Sequence, residues 1–364
     1  MSGFLAGTWL IASLELRQRV RGVAWYVLLG VFVFVILCVT VLLVLATNAL
    51  QDGGGGVFST IIFFVLLLGT LVSPALSGNA VNGEREAGTL ATTQVTLITT
   101  SQIVIGKWLA AWITAIAFLV GALPFLIFAV ALGEVSALTV FVSTIVLAVE
   151  LGIIAAIGVG LSGILTRPLF SIVVTYLVIA ALSIGTVIVF GLAGAATQSQ
   201  ARSTYIGFDY DGVDYDATFD PETGLPLDGV TVACLPPEVS TYSIPRFDYY
   251  WPVLAANPYV VLADAAPPVF NAQGQGEDLF TWIAVGVRGA QHAPDLDRVD
   301  DYCADPATGG NGAPQTPEDL YADSVASWFV GLALQVVLAA GALLWAIRRT
   351  RTPADRLPKG MRVA

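Results

Sequence analysis

Hydrophobic residues make up 56% of the 364-residue chain and charged residues only 12%. A water-soluble domain of this length would leave much of that apolar surface exposed, so the composition excludes an ordinary soluble globular protein. The net charge of −11 conceals an asymmetry: residues 196–324 hold 20 acids and 4 bases, while everything else holds 7 acids and 12 bases. That outer balance disfavours nucleic acid as a partner.

In chain order, residues 1–22 come first. Leu5, Trp9, Ala12 and Leu16 recur there at helical spacing, with Arg17, Arg19 and Arg21 nearby. This predicts an amphipathic helix on the inner leaflet, an elbow leading into the first span, with membrane lipid as its partner. The alternative is a frayed charged tail. Apolar runs of about 20 residues or more, enough to cross a hydrocarbon layer, follow at roughly 23–47, 57–76, 103–132, 138–165, 169–195 and 325–347. Their continuity predicts helices rather than alternating barrel strands. The first run exceeds the short apolar core of a signal peptide and is expected to remain as an anchor. With the amino terminus in the cytoplasm, twelve of the sixteen Lys and Arg residues lie inside, as the positive-inside rule favours. Both termini, including the basic tail 348–364, are then cytoplasmic.

Between the second and third runs, the loop 77–102 reads Asn82-Gly83-Glu84-Arg85-Glu86-Ala87-Gly88-Thr89-Leu90 and leads to Ile103-Val104-Ile105-Gly106-Lys107. Asn82 is placed to cap a short helix with Glu84 and Glu86 in its first turn, where the helix dipole favours negative charge. Thr99 and Gln102 have capping-box spacing for the start of the third span. A short rigid helix tied to two spans transmits motion; the plainer alternative is a solvated charged loop.

Further along, Glu150 stands near the middle of the fourth run, where a carboxylate costs roughly 2.5–3.5 kcal/mol and is functional by default. It would face a translocation path or accept a proton, or else bond to a neighbouring helix. Ala148, Gly152, Ala156 and Gly160 repeat every four residues beside it and predict close approach of another helix, within one subunit or across a dimer. The segment 196–324 is expected to be a mixed or irregular extracytoplasmic domain. Tyr205 to Phe219, around Asp211-Gly212, predicts a β-hairpin with a tight turn. Tyr249 to Asp264 is expected to lie on the outer interface. Cys234 and Cys303 are expected to pair as a disulfide, the alternative being two separate thiols. Asp209, Asp211, Asp214, Asp216 and Asp220 offer hard oxygen ligands for calcium, but their spacing does not fit an EF-hand loop; a solvated acidic face is the favoured expectation, calcium the alternative, and no metal site is assigned. His292 has no nucleophile partner in sequence, so no catalytic residues are assigned.

The loop resembles the signature of type-2 ABC transporter permeases, in which Glu-Arg-Glu-x-Gly-Thr-Leu after the second span precedes Ile-Val-x-Gly-Lys at the third. Glu84, Arg85, Glu86, Gly88, Thr89, Leu90, Ile103, Val104, Gly106 and Lys107 match; Ala91 stands where the family commonly has Glu, and Leu97 where it often has Pro. Asn257-Pro258 before the last span extends the likeness, whereas roughly 200–250 and 265–324 have no counterpart. The resemblance implies an all-α polytopic bacterial plasma-membrane permease with six transmembrane helices and a cytoplasmic coupling helix. It would work as a homodimer or a similar heterodimer with an ABC ATPase subunit. Glu84, Arg85, Glu86, Gly88, Thr89, Leu90 and Lys107 would couple to that ATPase, with export favoured over import. No Gly-x-x-x-x-Gly-Lys-Ser/Thr phosphate loop occurs, so ATP and Mg are expected on the partner subunit and no cofactor on this chain. A membrane scaffold or sensor, with residues 196–324 binding an envelope partner, is the competing expectation.

Overall fold

The computed structural model describes residues 2–47, 54–86, 88, 98–211, 213–222, 225–227, 230–305, 308, 310 and 315–350. Helices dominate. They are α1 (Ser2–Arg21), α2 (Val23–Ala46), α3 (Gly55–Ser77), α4 (Asn82–Glu86), α5 (Thr100–Ala131), α6 (Ala137–Ile164) and α7 (Pro168–Ala196). After them come strand β1 (Gln198–Ile206), the short helix α8 (Tyr215–Thr218) and strand β2 (Glu238–Pro245). Helices α9 (Trp251–Ala255), α10 (Pro258–Ala265) and α11 (Leu279–Gly289), strand β3 (Asp297–Asp301), and helices α12 (Pro317–Ala322) and α13 (Trp328–Thr350) complete the chain. Six helices, α2, α3, α5, α6, α7 and α13, are long and apolar enough to cross a membrane, the mark of a membrane protein.

Helix α6 is the hub, packing on α3, α5, α7, α10 and, most extensively, α13. Lipid is as apolar as Leu, so helices in it associate through close packing rather than through escape from water. The contacts follow that rule. A Cβ added to Gly160 would come within 2.6 Å of Ala342, and one on Gly163 within 2.6 Å of Ala346, so α6 and α13 touch nearly backbone to backbone. At the other end of α13, Gly331 presses against the carbonyl of Ala255, which an added Cβ would meet at 1.7 Å. Gly331→Ala is therefore expected to push α13 off α9 and destabilise the protein by about 1–3 kcal/mol, read as a lower unfolding midpoint in detergent.

The main core joins Phe32 and Ile36 of α2 to Phe58, Ile62 and Leu66 of α3, Phe118 and Leu119 of α5, and Leu147 and Leu151 of α6. It continues without a break into Val261 and Leu262 of α10 and Phe280 of α11. Residues 249–264, expected at an interface, form two short helices that bury Leu254, Val260, Val261 and Leu262 and leave Tyr249 and Pro252 exposed.

In the segment between α7 and α13, β1 is the central strand of a three-stranded sheet in the order β2-β1-β3. It runs antiparallel to β2, with Gln198 opposite Pro245 and Tyr205 opposite Glu238, and parallel to β3, with Arg202 opposite Asp297. The expected hairpin across Tyr205 to Phe219 does not form. β1 ends at Ile206 and takes its partners from far along the chain, while Tyr215–Thr218 is helical; Gly212 lies outside the described residues. The Val213 amide donates to the Tyr210 carbonyl at 3.3 Å, but long-range pairing on both edges of β1, and packing of Phe208, Tyr210, Tyr215 and Phe219 into one aromatic cluster, replace the local strand pairing. The Cys234–Cys303 disulfide forms, with the Cα atoms 6.0 Å apart, joining the run before β2 to the residues after β3. Among the described residues no cluster of three His, Cys, Asp or Glu side chains is placed to hold a metal. His292 lies against the backbone, 3.1 Å from the carbonyl of Leu320.

Candidate functional site

The charged loop and the two helices beside it converge at one end of the bundle. Helix α5 begins there with a complete capping box: the Thr99 side chain accepts from the Gln102 amide and the Gln102 side chain accepts from the Thr99 amide. Gln102 also donates to the carbonyls of Gly3 and Phe4, at 3.1 and 3.2 Å, fastening the start of α1 to the start of α5. One turn on, Gly106 admits α1 to contact, since a Cβ there would meet the carbonyl of Thr8 at 2.8 Å and Ile11 at 2.7 Å. Helix α1 turns Thr8, Ile11 and Ala12 onto α5 and leaves Leu5 and Trp9 exposed, so of the periodic residues Ala12 alone is buried.

That close approach delivers Lys107 into the protein, where it is 2% exposed. Its ammonium pairs with Glu15 of α1 and, at 2.7 Å, with Glu84 of α4. A buried cation costs several kcal/mol unless opposite charge and hydrogen bonds surround it, and two carboxylates from separate helices supply both. Arg19 extends the alternation of sign, donating to the carbonyl of Leu76 at 3.2 Å and to Thr114 at 3.3 Å. Burial pulls its guanidinium below the usual value, with Glu15 opposing that shift. Glu84 and Lys107, 23 residues apart in sequence, thereby join α1, α4 and α5.

Arg85 turns the other way. Its guanidinium donates to Asn82 Oδ1 at 2.8 Å and to the carbonyls of Leu165 and Gly163 at 3.0 and 3.3 Å, capping the end of α6, where the helix dipole favours a cation. Ser162 Oγ accepts from the amides of Val81 and Asn82 at 3.0 and 3.2 Å. Asn82, expected as the cap of this helix, is instead its buried first residue, with its side chain holding Arg85. Beyond this anchor Glu86 is exposed, and exposed Gly88 adopts φ +69°, the left-handed conformation suited to a chain leaving a helix. Thr89, Leu90 and residues 91–97 lie outside the described residues.

Deeper in the bundle, Glu150 of α6 is completely buried, and neither carboxylate oxygen has a hydrogen-bond partner among the described residues. The small-residue stripe beside it is filled by this chain's own helices. Trp112 Nε1 donates to the carbonyl of Ala148 at 2.7 Å, and Trp108 Nε1 to that of Gly152 at 2.9 Å. The two indoles stack on one another, 5.4 Å apart and 12° from parallel. Ala156 packs with Ala339 of α13, and Gly160 with Ala342. Trp108 and Trp112, four residues apart on α5, carry no mark in sequence beyond that spacing.

A second polar centre ties α10, α11 and α13 together. Asp264, 2% exposed, accepts from Arg288 Nε at 2.5 Å, from the Ser327 amide and hydroxyl at 2.6 and 2.9 Å, and from the Trp328 amide at 2.9 Å. It is at once an ion-pair partner and the cap of α13. Tyr321 covers the Arg288 guanidinium, 3.8 Å from ring centre. Nearby, Asn257 caps α10 through the Tyr259 amide and donates to the Ser183 carbonyl at 2.6 Å. Ser183 belongs to a π-turn, Ala181–Gly185, in the middle of α7, where the widened helix leaves a carbonyl for an outside donor. Asp264 was open to detection as a lone carboxylate in the apolar run 258–265, but its partners, 24 and 63 residues away, were not. Comparison with protein-family models and with curated proteins finds no match to this chain.

Proposed function

We propose that this chain is the membrane-spanning subunit of an ATP-driven transporter of the type-2 ABC permease kind. It works as a dimer with a second permease subunit and with a separate ATPase that holds ATP and Mg. Helix α1 is its interfacial elbow, with Leu5 and Trp9 toward lipid, and the disulfide-linked segment between α7 and α13 lies on the oxidising, extracytoplasmic side. The termini and α4 are then cytoplasmic in a bacterial plasma membrane.

One observation carries the reading: the Lys107 ammonium bonded to both Glu15 and Glu84. This contact makes α4 a lever clamped to the elbow and to the third span, while Arg85 clamps it to the end of the fourth. Force applied to the exposed side, at Glu86 and Gly88, is passed to three elements at once. A solvated loop has no need of such an anchor. The motif accordingly divides its labour, with Glu84, Arg85 and Lys107 holding the lever and Glu86 and Gly88 offered to the engine.

The test separates these roles. In membranes solubilised with the complex intact, Glu86→Lys is expected to leave the thermal midpoint of this chain unchanged and to lower the co-purified ATPase activity about tenfold, through like-charge contact and lost docking. Wild-type activity in that variant, or the absence of any co-purifying ATPase, rejects the proposal.

A further inference from the structure

The handover from α6 to α7 reads Ile164-Leu165-Thr166-Arg167-Pro168-Leu169-Phe170. A groove of about 380 Å³ opens there, lined by Ile164, Leu165, Thr166, Arg167, Phe170 and, from the end of α13, Arg349. Arg167 and Arg349 are exposed, and among the described residues neither forms an ion pair. Arg85 stands behind them, occupied by the Leu165 and Gly163 carbonyls and near enough to be repelled by Arg349. Arg348 adds a fourth positive charge at the same helix end. Like charges held around one hollow repel, and an anion seated among them removes that repulsion.

Two further features narrow the anion. Arg167 is the N-cap of α7 and makes no side-chain cap; Pro168 has no N–H and the Ser171 amide bonds the Arg167 carbonyl, which leaves the Leu169 and Phe170 amides beside the groove, where they favour a phosphate. Apart from Thr166 the remaining wall is apolar, and it continues along the outside of a spanning helix: Leu169 is 75% exposed, Phe170 55% and Leu177 63%. A soluble phosphate uses none of that wall. A phospholipid uses all of it, because its phosphate and its chains require a basic hollow and an apolar strip in this order along the membrane normal.

We propose that this groove binds an anionic phospholipid, its headgroup phosphate between Arg167 and Arg349 and its acyl chains along Phe170 and α7. The site requires only that α7 and α13 span a membrane, and it stands or falls independently of any ATPase. The lipid would secure the junction of the fourth, fifth and sixth spans next to the Arg85 clamp.

The experiment places the full-length protein in nanodiscs of equal phosphatidylglycerol and phosphatidylcholine and measures the lipids that remain bound on native mass spectrometry. The wild type is expected to retain phosphatidylglycerol preferentially. Each basic side chain near a membrane surface contributes about a fivefold factor, so Arg167→Gln with Arg349→Gln is expected to lower that preference about thirtyfold. An unchanged ratio overturns the proposal. So does loss of the bound lipid to millimolar inorganic phosphate at constant ionic strength, which would mark a soluble-phosphate site. Should the double variant fail to purify, Arg349→Gln alone is expected to lower the preference about fivefold, and an unaltered preference there has the same force.

Discussion

Replacing Lys107 with Met is expected to destabilise the protein by about 3–5 kcal/mol, the cost of breaking a buried ion pair from one side. The reason is what remains. Glu15 and Glu84 were drawn together by the ammonium, and their side chains are only 18% and 32% exposed. Without it two carboxylates face each other in a partly dry site, and one of them must take a proton or move away. On the usual scale for a chain of this length this lowers the melting temperature by about 4–7 °C in detergent. The comparison that isolates the electrostatic cause is the triple variant Glu15→Gln, Lys107→Met, Glu84→Gln, which removes the stranded charges and is expected to recover most of the loss. A triple variant as unstable as the single one would show that lost packing of the Lys107 stem, and not charge, is responsible. Protection of α1 from proteolysis should fall in parallel, because Lys107 is one of its polar ties to α5, alongside Gln102 and the Arg19–Thr114 bond.

Asp264→Ala is expected to have an effect of similar size at the other end of the bundle. The carboxylate serves four donors from two directions, with Arg288 on one oxygen and Ser327 and Trp328 on the other. Its removal strands a guanidinium that is 9% exposed and uncaps α13 in one step, for about 3–5 kcal/mol. Asp264→Asn keeps the shape but turns an amide toward one set of donors, so it is expected to fail as well. In the double variant Asp264→Ala, Arg288→Met the stranded charge is gone, and the cost should fall well short of the sum of the single costs. Strict additivity would refute a direct coupling. Hydrogen exchange locates the damage: the amides of Ser327 to Leu332 should lose protection first, since the Ser327 and Trp328 amides themselves donate to Asp264.

These two centres have different standing in the sequence. Glu84 and Lys107 stand out there because a charge beside long apolar runs is costly and so conspicuous, although nothing local says that they touch each other. Glu15 was hidden among the bases of α1, and its role depends on Gly106 admitting that helix to contact. Asp264 and Arg288 each end an apolar stretch, and their meeting depends on how α10 and α11 fold back under α13. The stripe on α6 was legible as a packing surface, while its occupants, the indoles of Trp108 and Trp112 and the alanines of α13, belong to helices whose order around α6 no periodicity specifies. The hairpin expected around Asp211-Gly212 shows the opposite case: the Val213 amide still donates to the Tyr210 carbonyl at 3.3 Å, but β1 pairs with two distant strands rather than with the chain after the turn.

What the residues determined alone is the number and approximate length of the membrane-spanning helices and the capping box at Thr99, with the cysteine pair as their favoured expectation. Each rests on an interaction within about a turn of helix, on the thickness of a hydrocarbon layer, or on the simple scarcity of thiols. The tertiary structure alone decided which way each charge of the loop points, which helices fill the small-residue stripe, and where the groove of Arg167 and Arg349 lies. Those outcomes depend on backbone approach at Gly106, Gly160 and Gly331, and a glycine in sequence does not say which neighbour it admits.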